Sequence, residues 1–330
     1  MKDKILLTGG RPTGEMHLGH YFGAFKEYIN LQENYNCFFV ISDIHMLTTA
    51  ATSKAISNIW NNAIDMVIDV ISMGLDPTNT IFYLQSNIME MPYYYTLIQN
   101  FIDVEIIMKT QSLIGTINEM RRNAQLEEIS LGLLAYPVME AADILSLNAD
   151  IVTVGKDNID HVEIAKMIVE KINNESTYTL KSPKWISNSD NNIIGIDGKS
   201  KMSKSLNNCI YISDSYEEIK NKVMNMPWLN DILESNVVVQ YLKVLIPHVY
   251  KNSFSDQEIV NGELYCKKYL IAALEDLLVE MRNKRKYYKS NKDYISNLIL
   301  EGTQTVREIS KTSLNNLKRG LGYNQKYCIW

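Results

Sequence analysis

The sequence predicts an α/β protein: a Rossmann-like doubly wound parallel sheet followed by a C-terminal helical domain. Three observations carry this reading. Short apolar runs alternate with long helical periods through the first two-thirds of the chain, a glycine-rich turn follows the first run, and strand signals become rare beyond about Leu206. Strands joined through long helices need right-handed crossovers, which yield a parallel sheet covered on both faces. The spacing places a Rossmann-like domain over 1–205 and a helical domain over 206–330.

Taken in order, Ile5 to Leu7 opens as a strand, and Thr8-Gly9-Gly10-Arg11-Pro12-Thr13-Gly14 is a turn. Helical periodicity runs from Leu18 to Asn34, and Cys37 to Ile41 reads as a buried strand. A helix over Ser53 to Met73 ends near Gly74 and Pro77, before a strand at Thr80 to Leu84. A helix over Leu131 to Leu147 leads into a run from Asp150 to Val154, and another begins near Asn158. Helical stretches over Tyr216 to Val223, Val237 to Val249, Gly262 to Tyr288 and Asn291 to Gly320 fill the remainder.

At 330 residues and 46% apolar, the chain can bury a large core. Its 33 basic and 38 acidic residues give a formal charge of −5, so any RNA contact must come from a local patch. No DNA partner is expected. The four cysteines (Cys37, Cys209, Cys266, Cys328) are scattered, which suits free thiols in a reducing cytosol better than disulfides or zinc. Neither a signal peptide nor a membrane-spanning run is evident, and the chain reads as cytoplasmic, with no membrane partner.

The glycine-rich turn suits a phosphate, because backbone N–H groups and a helix N-terminus favour an anion. Yet Glu15-Met16 stands where a P-loop needs Lys-Ser/Thr, and G-x-G-x-x-G is absent. The turn runs instead into His17-Leu18-Gly19-His20. His17 and His20 lie on one side of a helical turn, where their imidazoles can donate to phosphate oxygens, and Gly19 leaves room for a base or ribose. A pair of ordinary surface histidines is the competing reading; zinc would need further ligands, and no metal site is expected. Far along the chain, Lys199-Ser200-Lys201-Met202-Ser203-Lys204-Ser205 is a basic loop. It is either a solvated linker or a pair of mobile point charges, Lys201 and Lys204, that close over a polyphosphate.

Pro12-Thr13-Gly14-Glu15-Met16-His17-Leu18-Gly19-His20 resembles the His-Ile-Gly-His signature of class I aminoacyl-tRNA synthetases, and Lys201 to Ser205 is letter for letter their Lys-Met-Ser-Lys-Ser loop. Between them, Tyr136, Glu140 and Asp143 share one face of a helix, a polar stripe with apolar flanks. A partly exposed helix face is the alternative reading of that stripe. The segment Leu133 to Leu145, with Cys37 to Thr48 and Asp150 to Ile164, is similar to bacterial-type tryptophanyl-tRNA synthetases. Arg11-Pro12-Thr13-Gly14 with His20 looks closer to their auxiliary second type. The tyrosyl enzymes are the nearest competitor. Leu7 stands where they carry a tyrosine, and Arg11 where they carry an aspartate.

The resemblance implies a tryptophan–tRNA ligase that uses ATP with Mg²⁺ and has tRNA(Trp) and L-tryptophan as partners, acting as a homodimer. His17, His20, Lys201 and Lys204 would be catalytic. ATP would lie against Arg11, Pro12, Thr13, Gly19, His20, Gly155, Lys156, Asp157, Ile193 and the loop Lys201, Met202, Ser203, Lys204, Ser205. Tryptophan would lie against Leu7, Gly9, His45, Tyr136, Glu140, Asp143, Val152, Val154 and Asn158, with Asp143 accepting the indole N–H. Arg11, Asn158 and Glu140 depart from the commonest tryptophanyl pattern, which leaves an altered-specificity or tyrosyl-type paralogue open beside a non-catalytic, regulatory one. Arg282, Lys284, Arg285, Lys286, Lys289 and Lys292, with Tyr287 and Tyr288 interleaved, suit phosphate contacts and base stacking as well as they suit a solvated helix face. By resemblance the helical domain would contact the anticodon.

Overall fold

The computed structural model describes residues 3–122, 129–187, 193–228, 236–253 and 262–323. Its sheet comprises β1 (Ile5–Gly10), β2 (Asn36–Ile41), β3 (Thr80–Leu84), β4 (Ile151–Thr153) and β5 (Lys184–Ile186), in the spatial order β3-β2-β1-β4-β5. Every neighbouring pair is parallel. The chain builds outward from β1 to β3, then returns to the other side of β1 with β4. That reversal opens a crevice beyond the carboxyl ends of β1 and β4, where doubly wound folds bind ligands.

Successive strand residues face opposite sides, and both sides are buried. Leu6, Phe39, Ile41, Phe82 and Leu84 join one core, while Leu7, Phe38, Val40 and Tyr83 join the other. The first core is covered by α1 (Leu18–His20), a π turn (Tyr21–Phe25) and α2 (Lys26–Leu31), which form the expected helical run, and by α5 (Ile59–Met73). Between α2 and α5 lie α3 (Asp43–Ala50) and α4 (Ser53–Ser57). Gly74 ends α5 with φ of 121°, a conformation that disfavours side chains.

The second core is covered by α6 (Met91–Ile98), α9 (Leu131–Ser146) and α10 (Ile159–Glu175). Between α6 and α9 lie α7 (Val104–Ile107) and α8 (Gln111–Arg122), a helical segment that periodicity alone does not single out. Ser130 caps α9 by accepting the Leu133 N–H. Beyond Tyr216 the described residues are mainly helical: α11 (Tyr216–Met224), α12 (Val237–Leu245), α13 (Pro247–Ser253), α14 (Glu263–Lys289) and α15 (Lys292–Gly320), with the single stretch expected over Val237 to Val249 broken at Ile246, just before Pro247.

The last helix returns to the sheet rather than standing apart. A Cβ at Gly302 of α15 would lie 2.1 Å from the Phe82 carbonyl oxygen, so only glycine allows the helix to seat on β3. Thr303 Oγ1 then accepts the Leu84 N–H at 3.0 Å, which satisfies a backbone donor of this edge strand.

The basic stretch at the end of α14 is divided between cations held inside the protein and cations that face solvent, so it is not a wholly solvated face. Arg285 is 9% exposed and bonded to Asp69 and Glu15; Arg282 is bonded to Glu275 and to the Asp214 carbonyl. Lys286, Tyr287 and Lys289 do face solvent. Cys37, Cys209 and Cys266 are buried free thiols, whereas Cys328 lies outside the described residues. Among the described residues no helix is long and apolar enough to cross a membrane.

Candidate functional site

The loop that leaves β1 is drawn tight against its neighbours. A Cβ at Gly9 would lie 2.2 Å from Val40 Cγ1, so β1 and β2 approach closely only because Gly9 has no side chain. Arg11 is exposed and donates from Nη1 to Thr49 Oγ1 at 3.3 Å; Pro12 is buried and Thr13 exposed. His17 caps the helix through Nδ1, which accepts the Gly19 N–H at 3.2 Å. His20 Nδ1 in turn accepts the His17 N–H at 3.2 Å. Both Nδ1 atoms are therefore acceptors, and each neutral ring carries its proton on Nε2, ready to donate.

The rings lie 3.8 Å apart between centroids and remain neutral. Burial, followed by the charges of Lys204 and Lys201, lowers the His17 pKa to about 3. Burial, then His17 and the same lysines, holds His20 well below the usual histidine range. The pair thus offers two uncharged N–H donors at a helix start.

The second loop is stitched to the first by backbone. The Leu18 N–H donates to the Ile210 carbonyl at 3.0 Å and the Ile212 N–H to the Met16 carbonyl at 3.1 Å, forming an antiparallel bridge between His17 and Tyr211. Met202 is buried, and its Cβ would lie 3.3 Å from a Cβ at Gly19. Lys204 Nζ donates to the Thr13 carbonyl at 3.4 Å, and burial lowers its pKa. Lys201 pairs with Asp157. Burial works to raise the Asp157 carboxyl, but the Lys201 charge and hydrogen bond hold it below its usual value.

One residue that the motif reading passes over organises this loop. Asn208, 2% exposed, accepts the Ser203 N–H at 2.8 Å and donates to the Lys201 carbonyl at 3.2 Å. Ser203 and Ser205 share a hydrogen bond of 2.8 Å, and Ile193, buried, precedes the Ile194–Lys201 bridge. From the opposite side Gly155, Lys156 and Asp157 lead into α10, with the Asn158 N–H donating to the Gly155 carbonyl at 2.9 Å. A Cβ at Gly155 would lie 2.6 Å from Asp157 Oδ1.

A second set of residues lies across the sheet's carboxyl edge. Leu7, Val152 and Val154 are buried and supply an apolar floor. Asp143 is 2% exposed on α9; its Oδ2 accepts from Gln85 Nε2 at 2.6 Å, and its Oδ1 is buried without a protein partner. An unsatisfied buried acceptor in such a setting fits a ligand donor. Burial, then the Glu140 charge, pushes the Asp143 carboxyl well above the usual carboxylate range. Gln85, fully buried, is the neighbour that sequence reading missed, since a lone glutamine after a strand carries no periodic signal.

The remaining members of the stripe are linked by aromatic and ionic contacts. His45 Nε2 approaches the Tyr136 carbonyl at 2.9 Å, and the Tyr136 ring stands edge-on to His45 and to His161 at 5.5 and 5.0 Å. Glu140 Oε2 lies 2.6 Å from His161 Nδ1, while His161 Nε2 meets Ser112 Oγ at 2.8 Å. Burial disfavours both charges, but the pair prevails. Glu140 is held below its usual pKa, and His161 above.

A doubly wound sheet with two phosphate-suited loops meeting at its switch point defines a nucleotide-binding α/β protein. The comparisons narrow this. The family of class I tRNA synthetases for tryptophan and tyrosine (W and Y) matches over residues 2–312. A tryptophan–tRNA ligase of Borreliella burgdorferi is 33% identical, over 99% of this chain and 96% of its own length. The structure of tryptophanyl-tRNA synthetase from Mycoplasma pneumoniae superposes with a TM-score of 0.82 at 26% identity, covering 98% of this chain and 99% of that one. The Campylobacter jejuni enzyme, solved with ADP and tryptophan, gives 0.78 at 27% identity, covering 96% and 99%. The chain belongs to the class I tRNA synthetases of the tryptophan and tyrosine group.

Proposed function

We propose that the protein activates L-tryptophan with ATP and transfers it to tRNA(Trp). The observation that carries this reading is Asp143 Oδ1, a buried acceptor with no protein partner among the described residues, in a fold whose two signature loops are joined backbone to backbone. Asp143 could accept from an indole N–H or a phenol O–H alike; Leu7, buried at 2% exposure, offers a phenol no second hydrogen bond and so favours tryptophan over tyrosine.

In the first step the tryptophan carboxylate attacks the α-phosphorus of ATP in line, and pyrophosphate leaves. No protein nucleophile is needed; positioning and cationic stabilisation do the work. Neutral Nε2–H groups of His17 and His20 donate to phosphate oxygens, and Lys201 and Lys204 follow the charge that builds on pyrophosphate. Arg11, Pro12, Thr13, Gly19 and the Gly155–Asp157 turn line the nucleotide, with Met202, Ser203, Ser205 and Ile193 supporting it. Mg²⁺ arrives on ATP as part of the substrate, since the loops offer imidazoles and ammonium groups rather than a carboxylate cluster. Among the described residues no group of three potential metal ligands is present.

Tyr136 and Glu140 take the ammonium of the amino acid, Val152 and Val154 pack near the ring, and Gly9, His45 and Asn158 line the rest of the pocket. Glu140 reaches an ammonium with the oxygen that His161 does not hold. In the second step the aminoacyl group passes to a ribose hydroxyl at the tRNA 3′ end. Residues 1–205 serve as the catalytic unit and 206–330 as the anticodon-binding unit, in a cytoplasmic homodimer, as family membership suggests.

The test is exchange of labelled pyrophosphate into ATP. Exchange that depends on tryptophan, and not on tyrosine or phenylalanine, is expected. Dependence on tyrosine instead would reassign the substrate, and no exchange with any amino acid would make the chain a non-catalytic paralogue.

A further inference from the structure

We propose that Arg285, on α14, is a positioning residue for ATP: through Asp69 and Glu15 it fixes the main chain that presents His17. The proposal rests on the ATP-dependent reading above. Asp69 lies on α5 and is 1% exposed. Its Oδ1 accepts from Arg285 Nε at 2.6 Å, and its Oδ2 accepts the Met16 N–H at 3.0 Å. Arg285 Nη2 completes the contact with Glu15 Oε1 at 3.0 Å. Glu15 and Met16 are the two residues that immediately precede His17.

Met16 is consequently held at both of its backbone polar groups. Its N–H goes to the Asp69 carboxylate, and its carbonyl to the Ile212 N–H, just beyond the lysine loop. A carboxylate placed there is costly unless its charge is balanced, because a buried anion without a cation either takes up a proton or moves to water. Arg285 supplies that balance with a planar fork that serves two carboxylates at once. Without it, the acceptor that fixes Met16 loses its reason to stay charged and in place.

The same helix face reaches the second loop's continuation as well. Arg282, one turn before Arg285, donates from Nη1 to the Asp214 carbonyl at 3.0 Å. Asp214 Oδ2 in turn accepts the Tyr211 N–H at 2.8 Å, and Tyr211 is the residue bridged to His17. One face of α14 therefore braces both strands of the small bridge that joins the phosphate loops. The amino-acid pocket, built on α9, β4 and Gln85, shares none of these brace hydrogen bonds among the described residues and serves as an internal control.

Pyrophosphate exchange separates the two sites. Arg285→Gln is expected to raise the KM for ATP roughly tenfold while the KM for tryptophan stays within about twofold, and Arg285→Lys, which keeps the charge but loses the fork, to fall between. Calorimetric binding of tryptophan alone should be unchanged in both. Equal movement of the two KM values, or none in ATP, overturns the proposal. If Arg285→Gln does not fold, Arg285→Lys decides on the same split. Absence of tryptophan-dependent exchange in the unaltered protein would count against the functional reading itself; activity there with unshifted variants would count against Arg285 alone.

Discussion

Lys204 Nζ donates to the Thr13 carbonyl at 3.4 Å, closing one loop on the other across 191 positions of sequence. This contact leaves the lysine poised over the start of the first helix, where pyrophosphate would depart. Lys204→Ala should slow adenylate formation by on the order of 10²–10³-fold, the usual loss for one transition-state donor. Tryptophan affinity, read by calorimetry, should change little. A matching loss of affinity and rate would show that the lysine serves binding rather than the transition state.

Gln85 Oε1 accepts the His45 N–H at 3.3 Å, which fixes the amide so that Nε2 faces Asp143. Asp143 is thereby held with Oδ1 as the atom left for a ligand. Asp143→Ala should reduce the preference for tryptophan over phenylalanine in the exchange assay by roughly 10²-fold or more, because the site no longer rewards an indole N–H. Gln85→Leu should shift the ratio in the same direction, less strongly. Unchanged discrimination in Asp143→Ala would remove the indole assignment.

Acid stability should depend on His17. Its folded pKa is about 3 against 6.5 in the free side chain, so between those values the unfolded chain binds a proton that the folded one does not. Unfolding is favoured as pH falls through 6.5, and the loss grows until the folded ring itself titrates near 3. His17→Asn retains a side chain suited to helix capping and removes the titration. Urea midpoints measured between about pH 7 and pH 5 should fall less steeply in the variant than in the unaltered protein. Parallel slopes would mean that His17 takes up its proton alike in the folded and unfolded states, so that burial does not depress its pKa.

Gly302→Ala offers a reversal of sign. A glycine in a helix interior ordinarily gains about 1 kcal/mol of stability on replacement by alanine. Here the added Cβ would meet the Phe82 carbonyl at 2.1 Å, and backbone cannot move aside as a flexible side chain can. Thermal unfolding should show a loss on the order of 1–3 kcal/mol, as overpacking does. A gain would mean that α15 does not seat on β3 as described.

How much of this the sequence disclosed follows from the range of each interaction. β2 and β3 are legible because strands buried on both faces read as unbroken apolar runs. β5 is not, since Lys184 and Trp185 are exposed and leave no such run. The two loops suited to phosphate are legible as motifs, and the parallel sheet follows from the order of elements. What joins the loops was hidden. Arg285 reads as one more cation in a basic run because its partners, Asp69 and Glu15, lie 216 and 270 positions away. Gln85 and Asn208 were missed for a similar reason, each being a single polar residue whose partners are set by tertiary packing. Glu140 was legible as part of a polar stripe, but its contact with His161, on another helix, was not.

Two remote segments, around His17 and around Lys204, are expected to enclose one nucleotide. A crystal structure with a non-hydrolysable ATP analogue and tryptophan tests this most directly. Its α-phosphate should lie within hydrogen-bond reach of Nε2 of His17 or His20, its terminal phosphates by Lys204, and the indole nitrogen by Asp143 Oδ1. Phosphates bound away from both loops, or an indole turned from Asp143, would contradict it.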